Sequence, residues 1–326
     1  MAQLNFYAGI DIGASNIKYG IYDSNGEIAF RDQKPTQVDK GTKPLLHMIT
    51  NIAENLFLRA AEEELPVNWL GVGSPGTIDF ETGTVIGTSP NIPGWVGTAI
   101  GPHLKEHLNM PVYVDNDANA MALAELRFGA AKRFDSVLCV TVGTGIGGGV
   151  IINRELWRGS SFSAGELGHM VVKYDGKPCR CGSRGCLEAY CATPAILENT
   201  ATRLKNGMTP VMEEILAGDI ENLNIKKIFA AARKHDEIAQ QVLEETAVIL
   251  GTGLAGAVNL LNPEAVIFGG GVIEGGAGFI EIVGAEIRKK AFKSATENLR
   301  ILKAELGNDA GFMGAGLLGE YKSKKS

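Results

Sequence analysis

The sequence predicts an α/β protein of two domains, each built on a mainly parallel sheet that opens with short antiparallel strands. Three observations carry this reading. The segments beginning at Phe6 and at Ser136 follow one plan, namely strand, glycine-bearing turn, strand, polar turn, strand. Strands and helical runs alternate through the remainder, which is the pattern of parallel sheets covered by helices. The 42 glycines gather in a few turns, where backbone can approach a ligand or another element closely. A chain of 326 residues is long enough for two domains, each burying its own core.

Phe6 to Ile10 reads as the first strand, running into Asp11-Ile12-Gly13-Ala14-Ser15, and Ile17 to Tyr22 as the second. Asp23-Ser24-Asn25-Gly26 then makes a tight turn into a third strand from Glu27 to Phe30, since Asn-Gly suits a hairpin. Leu45, Ile49, Ile52 and Leu56 recur at helical spacing and predict a helix over about 43–64, ended by Pro66. Pro111 to Val114 leads as a strand into Asp115-Asn116-Asp117-Ala118-Asn119, the start of a helix over 118–128. The second half repeats the opening, with a strand over 136–142, a glycine loop over 143–149, a strand over 150–152, a turn at 153–155 and a short strand at 156–157. A long helix over 238–261 stops at Asn262-Pro263. A buried strand over 265–268 enters Gly269-Gly270-Gly271, and a last helix covers 310–321. The domain reading is 1–117, completed by the final helix from about 311 to 326, and 118–310, carrying an inserted loop over 169–186.

Bulk properties exclude several classes. Net charge is −6, without the clustered basic face that nucleic acid demands. No apolar run approaches the roughly 20 residues that span a bilayer, and no signal peptide is visible at the start. The five cysteines form no disulfide framework, because three fall between 179 and 186, which suits a reducing cytoplasm. Cys139 reads as a core residue, and Cys191 as a neighbour of the cluster.

Chemistry concentrates at four places. Cys179, Cys181 and Cys186, with His169 ten positions before the first, are the donor set of a closed tetrahedral zinc site, and Glu166 and Glu188 flank it. A metal that fixes this loop would also fix those carboxylates. The turn Asp11-Ile12-Gly13-Ala14-Ser15 and the loop Gly143-Thr144-Gly145-Ile146-Gly147-Gly148-Gly149 can cradle phosphates through backbone N–H groups. Neither is a P-loop or a dinucleotide fingerprint, because each leads into a strand and lacks Gly-Lys-Ser/Thr. Asp11 adds a carboxylate suited to Mg²⁺. Asp117 is the candidate base for phosphoryl transfer to an alcohol, with helix capping as its plainer role, and Asn116 is a partner for a neighbouring hydroxyl.

Taken together these residues resemble the ROK family of sugar kinases, most closely its glucokinase branch. The most specific parts are Gly165-Glu166-Leu167-Gly168-His169 and the run from Cys179 through Cys181, Gly182, Gly185 and Cys186 to Leu187-Glu188; Asn116-Asp117-Ala118-Asn119 and the second glycine loop agree. The resemblance implies an actin-like ATPase fold, hexokinase-type and ribonuclease H-like, whose two domains close on sugar and nucleotide. It implies that Asp117 activates the sugar hydroxyl, that Asn91, Asn116, Asp117, Glu166, His169 and Glu188 contact the sugar, and that His169, Cys179, Cys181 and Cys186 hold structural Zn²⁺. It places Asp11, Gly13, Ser15, Asn16, Thr144, Gly145 and Gly270 around ATP and Mg²⁺, although close helix–strand packing is another use for Gly270 and for Gly311 to Gly316. The family's first phosphate turn usually reads Asp-x-Gly-Gly-Thr-Lys. Here Ala14 and Ser15 keep the small side chain and the hydroxyl, while Asn16 loses the charge and Lys18 lies two residues on. Ser15 is also similar to the polyphosphate-using branch, so the donor is open between ATP and polyphosphate.

The expected activity is therefore ATP-dependent phosphorylation of glucose to glucose 6-phosphate, a glycolytic reaction in the cytoplasm, by a homodimer or homotetramer. N-acetylmannosamine, N-acetylglucosamine, mannose or fructose are alternative acceptors within the family. A sugar-responsive repressor shares the fold but carries a DNA-binding segment ahead of the first phosphate turn, for which Asp11 leaves no room. A sugar-binding protein without catalysis would need Asp117 or the phosphate loops to be broken.

Overall fold

The computed structural model describes residues 5–87, 89 and 92–323. It contains two five-stranded sheets of the same strand order. The first is formed by β1 (Phe6–Ile12), β2 (Asn16–Asp23), β3 (Ile28–Pro35), β4 (Val67–Ser74) and β7 (Val112–Asn116), in the order β3-β2-β1-β4-β7. A small pair, β5 (Ile78–Asp79) and β6 (Thr84–Val85), lies between β4 and β7 in the chain. The second sheet is β10-β9-β8-β11-β12, formed by β8 (Val137–Val142), β9 (Ile146–Ile152), β10 (Glu155–Leu156), β11 (Ala265–Gly269) and β12 (Arg300–Lys303). In the first sheet β1 runs antiparallel to β2 and parallel to β4, which is parallel to β7. In the second, β11 runs parallel to both β8 and β12. The repeated plan anticipated from the two halves is thus a duplicated sheet.

The chain divides into two compact units. One comprises residues 1–135, 149–165 and 304–326, and the other 136–148 and 166–303. The dividing line therefore differs from the expected boundary after 117, because helix α3 (Asp117–Arg127) groups with the first unit. The cause is a close helix–helix approach. A Cβ on Gly314 of the C-terminal helix Ala310–Ser323 would stand 1.6 Å from the Ala120 carbonyl oxygen, so only glycine permits this packing.

In the first unit, Ile10, Ile12, Ile17, Ile21, Leu70, Val72 and Val114 of the sheet are buried with Leu45, Ile49, Ile52 and Leu56 of helix α1 (Thr42–Glu62). Those four helical residues are the ones the periodicity selected, and each contributes roughly 1.5–3 kcal/mol on full burial. Trp95 is fully buried and donates its indole N–H to Ser74 Oγ at 2.9 Å. The opposite face of the sheet takes the C-terminal helix, where a Cβ on Gly71 would stand 1.7 Å from the Ala315 oxygen.

One expected element is corrected. Strand β9 begins at Ile146 rather than 150, so the glycine turn is only Gly143–Thr144–Gly145. Gly147, Gly148 and Gly149 belong to the strand. At Gly149 the reason is proximity, since a Cβ there would meet Ala122 Cβ at 2.5 Å and the Ala118 oxygen at 3.0 Å. Among the described residues no helix is long and apolar enough to cross a membrane.

Candidate functional site

In the first unit, β7 delivers its polar end to the start of α3. Asn116, not Asp117, is the cap. Its Oδ1 accepts from the N–H groups of Ala118 and Asn119 at 2.9 and 3.2 Å, and its Nδ2 donates to the Gly76 oxygen at 3.1 Å. Most of its hydrogen-bonding capacity is spent on the turn. Asp117 stands on the first turn, at the positive end of the helix, and Oδ1 accepts from Ala118 N at 2.9 Å. The buried Asp115 accepts from Asn116 N at 2.8 Å and Asn119 Nδ2 at 3.0 Å through Oδ1.

Asp11 ends β1 close by. A Cβ on Gly73 would lie 3.6 Å from Asp117 Cα and 3.7 Å from Asp11 Oδ1, so the Asp11 carboxylate and the Asp117 backbone border the same point beside β4. Gly311 also admits the Asp11 carboxylate, since a Cβ there would lie 2.2 Å from Oδ2. Burial pushes the Asp11 carboxyl up to about 6, against the pull of Lys18, its register partner on β2. A carboxylate so poorly compensated suits a hard cation bound through oxygen, such as Mg²⁺. The β1–β2 turn is held by Gly13 N–H to the Asn16 oxygen at 3.0 Å and by Thr36 Oγ1 donating to the Gly13 oxygen at 2.7 Å. Ser15 is exposed there. Lys18 Nζ donates to Asn308 Oδ1 at 3.0 Å. Asn91 lies outside the described residues.

In the second unit the turn at Gly143 is closed by its N–H to the Gly145 oxygen at 2.9 Å, and Thr144 is exposed. Gly270 adopts φ +94°, and a Cβ there would meet Val142 backbone at 2.5 Å, so it seats the end of β11 against the end of β8.

The cysteine cluster assembles as the spacing anticipates. Val171 and Cys186 form a β-bridge, with Val172 N–H to the Gly185 oxygen and Leu187 N–H to the Met170 oxygen, both at 2.9 Å. This pairing sets His169 beside the cysteines. Within the knuckle, Gly182 N–H reaches the Cys179 oxygen at 3.0 Å, and Gly182 takes φ +93°. His169 Nδ1 stands 3.7 Å from Cys179 Sγ, and Cys181 Sγ stands 3.7 Å from Cys186 Sγ; all four donor atoms lie within 4.8 Å of one another. Tetrahedral Zn²⁺ with bonds of roughly 2.3 Å to sulfur would separate two sulfurs by about 3.8 Å, so the donors fit that ion. Cys191 does not join them: it is buried, and its thiol donates to the Thr246 oxygen at 3.5 Å. Cys139 is buried within β8.

The two acids stand beside this knuckle. His169 turns Nε2 toward Glu166 Oε2 at 3.9 Å. Glu166 is partly exposed, and the partial loss of water around it raises its carboxyl, while His169 opposes this and Glu188 adds to it. Glu188 opens helix α4 (Glu188–Cys191), and its Oε2 accepts from Ile146 N at 2.8 Å, next to the glycine turn. Arg180, between two of the cysteines, reaches the Thr144 oxygen at 3.3 Å and Glu188 Oε1 at 3.9 Å. The glycine turn, the acid and the cysteine knuckle are therefore one connected structure. Sequence reasoning passed over Arg180, although its place between two of the clustered cysteines was the available signal. It also passed over the ion pair of Asp115 with Arg158, 43 positions away.

The chain belongs to the ROK family, whose model matches residues 7–321. The fold is accordingly the two-domain actin-like architecture of that family. The chain is 34% identical to a glucokinase of Thermotoga maritima, over 94% of this chain and 95% of that protein. It is also similar to the crystal structure of a ROK glucokinase from Streptomyces griseus with glucose and AMPPNP, with 34% identity, a TM-score of 0.82, and coverage of 97% of this chain and 98% of the other. A xylose repressor of Caldicellulosiruptor bescii is 30% identical over 94% of this chain and 76% of its own length.

Proposed function

We propose that this sugar kinase transfers the γ-phosphoryl group of ATP to the 6-hydroxyl of glucose. Asp117 accepts the hydroxyl proton as the sugar oxygen attacks phosphorus, ADP departs, and glucose 6-phosphate remains. Glu166, Glu188 and His169 Nε2 supply acceptors and a donor for the remaining hydroxyls, together with Asn116 and Asn91. A pocket of fixed polar groups rejects a sugar that leaves them unpaired. The turn at Gly13 to Asn16, the turn at Thr144 and Gly145 and the backbone at Gly270 contribute to binding the nucleotide, with backbone N–H groups of the turns for its phosphates. Asp11 would hold Mg²⁺, which would supply neutralisation of charge on the transferring group. Zn²⁺ held by His169, Cys179, Cys181 and Cys186 is structural, because four protein ligands leave no open position.

The observation that carries this reading is Asp117 on the first turn of α3, its backbone and the Asp11 carboxylate bordering the same point beside Gly73. A coupled assay over glucose, mannose, fructose, N-acetylglucosamine and N-acetylmannosamine, run with ATP and with polyphosphate, tests it. Glucose with ATP is expected to give the highest kcat/KM; no phosphorylation of any sugar by either donor refutes it. The likeness to a xylose repressor favours a second reading, a regulator that binds sugar without transferring phosphate. Sugar binding by calorimetry with no product is its signature.

A further inference from the structure

We infer that Arg158 is a positioning residue for the proposed base Asp117, acting through Asp115; this rests on the kinase reading above. Arg158 follows β10 and is nine-tenths buried, and Asp115 is almost wholly so. Arg158 Nε donates to Asp115 Oδ2 at 2.7 Å, and Nη2 stands 2.7 Å from the same oxygen, too oblique for a full second hydrogen bond. Both nitrogens therefore converge on one oxygen. The other, Oδ1, stays turned to the catalytic segment, where it accepts from Asn116 N and Asn119 Nδ2. Asn116 in turn caps the helix that begins at Asp117. The guanidinium carbon stands over the Phe80 ring, 3.8 Å from its centre, so the group is held from a second side.

A buried ion pair is a poor device for stability, because desolvation offsets the attraction and an apolar pair of similar volume often serves as well. What the pair supplies here is direction. It locks the Asp115 carboxylate in the rotamer that holds the β7–α3 turn. A displacement of about 1 Å at a reacting group can lower rate by roughly 10²-fold, so a side chain that never touches substrate can govern turnover.

The test compares Arg158→Met, Arg158→Lys and the double variant Asp115→Asn/Arg158→Met, with Asp117→Asn alongside. Arg158→Met is expected to lower kcat by roughly 10–10²-fold, with glucose affinity by calorimetry and zinc content unchanged. Arg158→Lys is expected to recover part of kcat. The double variant removes the uncompensated buried charge, so its melting temperature should return toward wild type while kcat stays low, because the carboxamide is no longer pinned. Unchanged kcat in Arg158→Met overturns the inference. So does kcat that recovers in step with stability in the double variant, since that marks a structural role alone. An active Asp117→Asn would overturn the base assignment itself, whereas an inactive Asp117→Asn beside a fully active Arg158→Met overturns only this inference.

Discussion

Asp11→Asn should make the protein more stable at neutral pH while removing its activity. The Asp11 carboxyl is raised from 3.8 to about 6, chiefly by burial. A raised acid favours the protonated form in the folded state. Its contribution to stability is therefore intact below about pH 4, falls as pH rises toward 6, and stays lost above. The difference, 6 minus 3.8 or about 2.2 units, corresponds to about 3 kcal/mol at most. Asp11 keeps some accessible surface, so water screens part of this and about 1–2 kcal/mol is the working expectation. Asparagine fills nearly the same volume without the charge. Thermal unfolding without nucleotide or metal should show a gain of a few degrees for the variant at pH 7.5, at about 2–4 °C per kcal/mol for a domain of this size. The gap should close near pH 4. A coupled assay should show the same variant inactive, the trade of activity for stability expected where a functional carboxylate is held in an unfavourable place. A variant less stable than wild type at pH 7.5, or a gap that does not change with pH, refutes the reasoning.

Other perturbations follow from the same geometry. Asp117→Asn is expected to lower kcat by at least roughly 10²–10⁴-fold, with glucose binding by calorimetry retained. Cys181→Ser should lose zinc by elemental analysis and weaken glucose affinity together, because the knuckle sets His169 and Glu188; full zinc content in the variant would count against the ligand assignment. Gly71→Ala should destabilise the first unit by about 1–3 kcal/mol or more, read by denaturant unfolding, since its methyl would collide with backbone of the C-terminal helix.

What sequence could anticipate was what local pattern encodes. The helix over Thr42–Glu62 was legible because Leu45, Ile49, Ile52 and Leu56 repeat at its period, and the cysteine–histidine cluster because the spacing of its members is itself local. The start of β9 was not. Gly147 to Gly149 read as a loop, yet Gly149 is small because α3 crowds it, a fact set by residues 27 positions away at Ala122. The grouping of α3 with the first unit has the same origin in its contact with Gly314. The Val171–Cys186 bridge, which seats His169, has no periodic signature. Nor could the role of each polar residue around Asp117 be divided by sequence: only coordinates show that Asn116 caps the helix and that Asp115 belongs to Arg158.

The central claim, that Asp117 receives the proton of the attacking hydroxyl, is tested most directly by a crystal structure with glucose and a non-hydrolysable ATP analogue. An Asp117 carboxylate oxygen is expected within about 2.6–3.2 Å of the 6-hydroxyl. A bound sugar whose hydroxyls all lie beyond reach of Asp117 would contradict it.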